Sequence, residues 1–385
     1  RSLTGNFDRP GGQIPEKSTF YDMPAGFHMY EHEYYLDVQP DRKKDAVGCR
    51  RFPLWSKFMD EFQAMDLSRQ ILEGTPYPIK AIYGAGMNVK IFPDTRRMCE
   101  ALKTLDFFVD VDLFMTDTAK YADIVLPACT SYERGEFKAY IGGYATYTKP
   151  VIEPLYESKS DVQILKELAD VMDLDDDLLR QGYEAEINYM IRDLSVTLDD
   201  MKASDLPIKV PEARDVLAGE FTANGMNTPT GKFEFYSNFV AEFKDIGLSP
   251  IPTWNETLDD EGMDPEEYPF ILVTGSRIPN AIHSRLHNLA WTRSLRKDPM
   301  ADINIDDAKE LGIEKGDMIE IQTVTGSVRM KANPSVKIRR GDVQMYHGYT
   351  EANANDLIGA NHLDPYSGYP GFKSSRCRIV RVCDQ

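Results

Sequence analysis

The chain has 385 residues, with 44 basic and 62 acidic side chains and a formal net charge of −18. That length suits two or three domains around a sizeable core, and so acidic a balance excludes nucleic acid and an anionic membrane as the main partner. The five cysteines, Cys49, Cys99, Cys129, Cys377 and Cys383, are scattered and contain no CxxC, which excludes a disulfide framework and the usual zinc or iron–sulfur spacings.

The charge is uneven. Residues 1–265 carry 28 basic and 47 acidic side chains, whereas 266–385 carry 16 and 15. The C-terminal part is the better host for an anionic ligand. No apolar run reaches the length of a membrane span, and the first residues show no signal-peptide or twin-arginine pattern. Because the chain begins with Arg, the localisation stays open between cytoplasmic and exported.

In chain order, the opening LTGNFDRPGGQIP is rich in turn residues and lacks a core periodicity. Residues 21–50 read as an irregular excursion. Its His28 and His32 lie one helical turn apart without a third ligand, and so read as ordinary histidines rather than a zinc site. An α/β unit follows: PIKAIYGAG is a strand entering a glycine turn, TRRMCEALKTL a helix, DFFVDVD a second strand, TAKYAD a helical turn and IVLPA a third strand. The Gly84-Ala85-Gly86 turn, with Asp110 and Asp112 ending the next strand, invites a nicotinamide-dehydrogenase reading. Against it, Val89 stands near the place of the third glycine and the turn does not open directly into the helix.

Beyond this unit, Glu133-Arg134-Gly135 precedes a crossing segment, and Ser160-Asp161 before an apolar-periodic run reads as a helix N-cap. Residues 170–215 read as acidic, solvent-facing helices, Thr228–Ser237 as a turn plus strand, and 245–267 as a linker. Six strands are expected in the last part, at 268–274, 301–305, 317–324, 326–332, 342–346 and 376–383. A short helix DDAKELGI lies between two of them, with Gly312 near its C-cap. Short strands with GD-x-I-x-I-x-T and TG-x-V turns give the pattern of a small closed barrel.

The first of those strands carries the chemistry. Its apolar run Phe270–Val273 stops at Thr274-Gly275-Ser276-Arg277, leaving main-chain N–H groups and two hydroxyls at the strand end. Arg277, His283 and Arg285 then supply donors that suit phosphate oxygens or a polar heterocycle. His283 and His287 are four apart but again lack a third ligand.

TGSR, INIDDAKELGIEKGDMIEIQT, TGSVRMKANPSVKIRRGDVQMYHG, NANDLIG and DPYSGYPGFKSSRCRIVRV follow one another over 268–385. This ordered set resembles the C-terminal domain of the molybdopterin oxidoreductases, the dimethyl sulfoxide reductase superfamily. LTGN-x-D-x-PGG and LDFFVDVDLFMTDTAKYADIVLPA resemble segments that occur midway through such enzymes.

The resemblance implies the fold class: α/β with a partial doubly wound, mainly parallel sheet, an α-rich connecting region, and a C-terminal six-stranded double-psi β-barrel. In that scheme 1–130 is the second half of an α/β guanine-dinucleotide domain. Residues 131–265 are the crossing segment, acidic helices and linker, and 266–385 the molybdopterin dinucleotide-binding domain. The implied cofactor is bis(molybdopterin guanine dinucleotide) with molybdenum or tungsten.

The implied contacts are Gly84 and Asp112 at the ends of the α/β strands, and Arg134 and Asp161 near the guanosine. Thr274, Gly275, Ser276, Arg277, His283, Ser284 and Arg285 follow at the barrel strand end, with His347, Asn355, Phe372 and Lys373 later in the barrel. Arg277 and Lys373 would neutralise phosphate or pterin oxygens, and Asn355 would bond the pterin ring. The resemblance places any [4Fe–4S] cluster and the protein ligand of the metal in a half that precedes LTGN, so this chain is expected to hold no metal ligand and to be inactive alone. Its expected partners are that N-terminal half, a small-molecule substrate and an iron–sulfur electron-transfer subunit. The alternatives are a non-catalytic structural relative and an NAD(P)-type dehydrogenase.

Overall fold

AIYGA and FFVDVD, the two runs flanking the first strong helical pattern, become β1 (Ala81–Ala85) and β2 (Phe107–Asp112). They pair in parallel, from Ala81↔Phe107 to Ala85↔Val111. The helix between them, Thr95–Leu102, starts where Asp94 accepts the Arg97 N–H, and buries Met98, Ala101 and Leu102. That face packs with Val89, Phe92 and Phe108. β3 (Ile124–Pro127) completes the sheet in the order β1-β2-β3. The computed structural model describes residues 1–14, 45–59, 61–140, 143–212, 217–226, 228–254, 263–276, 287–360 and 363–382.

After β3 the chain forms a hairpin of β4 (Glu136–Tyr140) and β5 (Tyr144–Thr148), joined by the short β6 (Ile208–Lys209). The helices Tyr183–Met190 and Leu198–Ala203 lay Ile187, Leu198 and Met201 against Ala145 and Val210. The expectation of solvent-facing helices therefore holds for one face only; their other face makes a core of its own.

Thr228–Ser237 is not a strand. A strand persists by ladder bonds to a neighbour, and this segment has none among the described residues. Instead Phe233 meets Phe7 and Phe235, each with ring centroids 5.3 Å apart.

The last six strands are β7 (Phe270–Ser276), β8 (Met300–Asn304), β9 (Met318–Gln322), β10 (Ser327–Ser335), β11 (Asp342–Tyr346) and β12 (Ser375–Arg381). They close into a barrel in the order β10-β8-β11-β7-β12-β9. Two neighbouring pairs, β10 with β8 and β11 with β7, are parallel, and the other four are antiparallel. Alternate residues point inward, filling the barrel with Leu272, Ile303, Ile319, Ile321, Met330, Val343 and Met345. The short helix Ile305–Glu310 lies where expected, and Gly312 beyond it has a positive φ of 64°.

The backbone gathers into two compact units, one from Arg1–Gln39 with Pro127–Thr253 and the other from Pro40–Leu126 with Trp254–Gln385. The α/β sheet and the barrel fall in the same unit. Among the described residues no helix is long and apolar enough to cross a membrane.

Candidate functional site

Because β7 and β11 run parallel, both end at the same rim of the barrel. The register carries Tyr346 opposite Ser276, after an irregularity between Gln344 and Tyr346, so His347 follows directly beside the Thr274–Ser276 strand end. The loop before β12 comes to the same place. Thr274 donates to the Phe372 carbonyl twice, from its N–H at 3.2 Å and its hydroxyl at 2.8 Å. A Cβ on Gly275 would lie 2.8 Å from Lys373 Cε, so the lysine stem crosses the glycine face. Thr274, Gly275, Ser276, His347, Phe372 and Lys373 are thus brought to one rim. Arg277, His283, Ser284 and Arg285 lie outside the described residues, as do His28, His32 and Cys383.

A cationic, aromatic cluster that the sequence reading did not single out borders this rim. Arg296 lies over the Tyr346 ring at 3.7 Å and Arg293 over the Tyr349 ring at 4.4 Å. Arg293 pairs with Glu351 and also lies 3.3 Å from His287 Nδ1. A guanidinium has only donors, so His287 Nδ1 is the acceptor and the proton of the neutral ring sits on Nε2. Burial first, and then the charge of Arg293, hold the imidazole's pKa at about 4. A neutral His287 facing a guanidinium makes a poor metal ligand, and among the described residues no group of His, Cys, Asp or Glu suits a metal ion. The signal for this cluster was WTRSLRK, three basic residues beside aromatic YHGY further on.

The NANDLIG loop meets the turn and helix that follow β1. Asn353 donates to Thr95 Oγ1 at 2.8 Å, Asn355 Nδ2 donates to the Lys90 carbonyl, and the Asp94 N–H donates to the Ile358 carbonyl at 2.7 Å. Arg96 adds a bond to the Thr325 carbonyl at 2.8 Å. One of the two side-chain N–H groups of Asn355 thus joins the barrel to the Val89–Ile91 turn that follows β1. Beside it, Lys90 bonds Thr350 at 3.0 Å and Asp117 at 3.1 Å. Burial alone would raise Asp117, but hydrogen bonds from Lys120, Thr350 and Lys90 outweigh it and hold the carboxyl at about 2.

At the ends of β1 and β2, Gly84 stands opposite Asp110. Asp112 Oδ1 accepts the N–H groups of Leu113 at 2.6 Å and Phe114 at 3.3 Å. The glycine turn does not open a helix, since the helix begins at Thr95 behind its own Asp94 cap. A dehydrogenase-type helix N-terminus at the glycines is not formed.

In the other unit, Arg134 and Asp161 meet at 3.2 Å. Arg134 also bonds the Cys129 carbonyl at 3.0 Å and Glu136 at 2.9 Å. Asp161 opens the helix Asp161–Met172, whose cap is Ser160, accepting the Gln163 N–H. Neighbouring Glu133 organises the loop: it accepts both the Thr130 N–H and hydroxyl at 2.7 Å, and the Leu155 N–H at 2.7 Å. The Thr130 hydroxyl first, and then these main-chain donors, hold its carboxyl at about 2.

The two halves of this geometry coincide with family matches. A model described as molydopterin dinucleotide binding domain matches residues 270–376, the barrel with its rim. One described as molybdopterin oxidoreductase matches 63–171, the α/β sheet through Asp161. The dopamine dehydroxylase of Eggerthella lenta is 26% identical over 99% of this chain and 46% of its own length. A trimethylamine-N-oxide reductase of Haemophilus influenzae is 31% identical over 71% of the chain and 36% of its own length. The solved acetylene hydratase from Pelobacter acetylenicus shares the fold with a TM-score of 0.79 at 23% identity, over 91% of this chain and 54% of that one. The chain thus spans about half or less of the length of the relatives it matches. It belongs to the molybdopterin oxidoreductases of the dimethyl sulfoxide reductase family.

Proposed function

We propose that this chain is the cofactor-embracing portion of a molybdenum or tungsten oxidoreductase that carries two molybdopterin guanine dinucleotides. The observation that carries the reading is the barrel rim, where Lys373 lies across Gly275 and Thr274 holds the Phe372 carbonyl, inside the segment matched as dinucleotide-binding. Such a rim supplies what an anionic, hydrogen-bond-rich ligand needs: the Lys373 charge and the Ser276 hydroxyl at a strand end where Gly275 puts no side chain in the way, with Thr274 fixing the loop that carries the lysine. When bound, the cofactor would supply oxygen-atom or hydroxyl transfer or two-electron exchange at its metal. This chain's own residues would bind and orient it, with Arg134 and Asp161 serving the guanosine. The whole enzyme's partners in this reading are the N-terminal half, an iron–sulfur subunit and a small-molecule substrate. Relatives named for dopamine, trimethylamine-N-oxide and acetylene all match this chain, which supports cofactor binding rather than substrate choice as its role.

Two readings compete, a structural relative without cofactor and an adenine-dinucleotide dehydrogenase. Metal and released-nucleotide content of the full-length native enzyme decides among the three. The expected result is molybdenum or tungsten with two guanine nucleotides per metal. Adenine nucleotide without metal would favour the dehydrogenase, and neither group would favour the structural relative.

A further inference from the structure

The loop that delivers Lys373 is a turn folded on itself. Asp364 Oδ1 accepts the N–H groups of Tyr366 at 3.1 Å and Ser367 at 2.6 Å, and the Ser367 hydroxyl at 2.8 Å. The Asp364 N–H donates to the Tyr369 carbonyl at 2.8 Å, and Leu363 bridges to Pro370. Residues 364–370 are thus tied into one piece, and Phe372 and Lys373 follow closely behind it. At that near end Thr274 holds the Phe372 carbonyl.

The far end, the tip at Ser367-Gly368, is held by Gln63. Its Nε2 donates to the Ser367 carbonyl at 2.6 Å across 304 residues of chain, and its Oε1 accepts the Met65 N–H at 3.1 Å. Both ends of the amide are used, in the orientation that turns a donor toward a carbonyl and an acceptor toward an N–H. Gln63 is 6% exposed, and its own N–H bonds the Val47 carbonyl at 2.8 Å. The stem lies between two glycines: a Cβ on Gly48 would be 2.8 Å from Gln63 Cβ, and one on Gly368 would be 2.8 Å from Gln63 Cγ. Both glycines have a positive φ, 73° and 74°, so a side chain at either would be strained as well as crowded. Buried Phe52 lies 3.0 Å from the same Gly368 position, and the Leu54 N–H donates to the Tyr366 carbonyl at 3.2 Å.

Asp364 closes the turn without help from Gln63. What Gln63 adds is the placement of the turn against the barrel. A hydrogen bond weakens steeply with distance and angle, so a turn free to tilt about Phe372 would carry the lysine ammonium away from an oxygen at the rim. A site residue needs such support from the groups behind it.

We propose that Gln63 is a positioning residue for Lys373: its amide pins the tip of the 364–370 turn, and through it the lysine, at the barrel rim. The inference rests on the cofactor reading above, and adds to it a residue that acts through the lysine from the segment ahead of the α/β sheet.

The test compares cofactor content per protomer of the full-length enzyme, after gel filtration, in wild type, Gln63→Met, Lys373→Ala and the double variant. Methionine keeps the stem between the two glycines and removes both amide bonds. Gln63→Met is expected to lower retention roughly threefold to tenfold. The double variant should retain as much cofactor as Lys373→Ala alone, because a positioning effect vanishes once the lysine it positions is gone. A merely structural loss would multiply with that of the lysine. Hydrogen exchange of the cofactor-free enzyme needs no ligand: peptides over 364–373 should exchange faster in Gln63→Met, with β8 to β11 unchanged. Gly368→Ala reaches the same contact from the loop, by displacing the Gln63 stem and Phe52. It should repeat both results, and it keeps the test decisive if Gln63→Met does not fold. Wild-type retention in Gln63→Met, or losses that multiply in the double variant, would overturn the positioning role and leave the cofactor reading standing. Full cofactor content in Lys373→Ala would overturn the rim reading itself, and this inference with it.

Discussion

Lys373→Ala should lower cofactor retention in the full-length enzyme by roughly tenfold to a hundredfold while leaving its melting temperature nearly unchanged. The first part follows from charge. An ammonium that meets a phosphate or pterin oxygen contributes a charge-assisted hydrogen bond of roughly 1.5–3 kcal/mol, which converts to that range of affinity. The second part follows from position. Lys373 is exposed and its stem lies over Gly275 at the open rim, where truncation of a surface side chain changes stability by about 0.5 kcal/mol or less. Lys373→Met should behave like the alanine variant and Lys373→Arg should keep part of the affinity. Cofactor content per protomer after gel filtration separates the outcomes. Full content in Lys373→Ala would make the lysine an ordinary loop residue.

Ile321→Ala is expected to have the largest effect on stability, about 2–5 kcal/mol. Ile321 is 0% exposed at the barrel centre, and its strand β9 closes the barrel. On one side Ile321 pairs with Val328 of β10, and on the other with Ile379 of β12. A cavity there removes packing from both neighbours of the closing strand, and the paired backbone limits how far the site can collapse. Ile321→Val deletes one methylene and should cost about 0.5–1.5 kcal/mol. Urea unfolding of the two variants beside wild type checks both figures, and equal midpoints for Ala and Val would contradict the packing argument.

The barrel strands were legible because each alternates apolar and polar residues between glycine-rich turns, and such a pattern fits a half-buried strand. The α/β unit was legible for the same reason, with Asp94 before a helical run. The β4–β5 hairpin was missed although EFKAY and YATYT flank a glycine pair, a hairpin signal overlooked in favour of a crossing segment. Thr228–Ser237 failed in the opposite way: its apolar and polar residues suit a strand, but pairing is non-local and no partner arrives.

At the site, the strand end Thr274–Ser276 was readable from the abrupt stop of an apolar run. The approach of Lys373 came only through resemblance, since nothing local at Phe372-Lys373 says which strand end the loop will cover. The structural duty of Asn355 was hidden for a related reason, because its acceptor on Lys90 is 265 residues away.

Hydrogen exchange of the full-length enzyme, compared with and without its cofactor, tests the central claim most directly, because it reports which backbone the cofactor touches. Peptides covering Phe270–Ser276 and the loop through Phe372 and Lys373 should gain protection together when the cofactor is present, while outward-facing helices such as Asp177–Gln181 should be unchanged. Protection that appears elsewhere and leaves both rim segments exchanging at their cofactor-free rates would contradict the account.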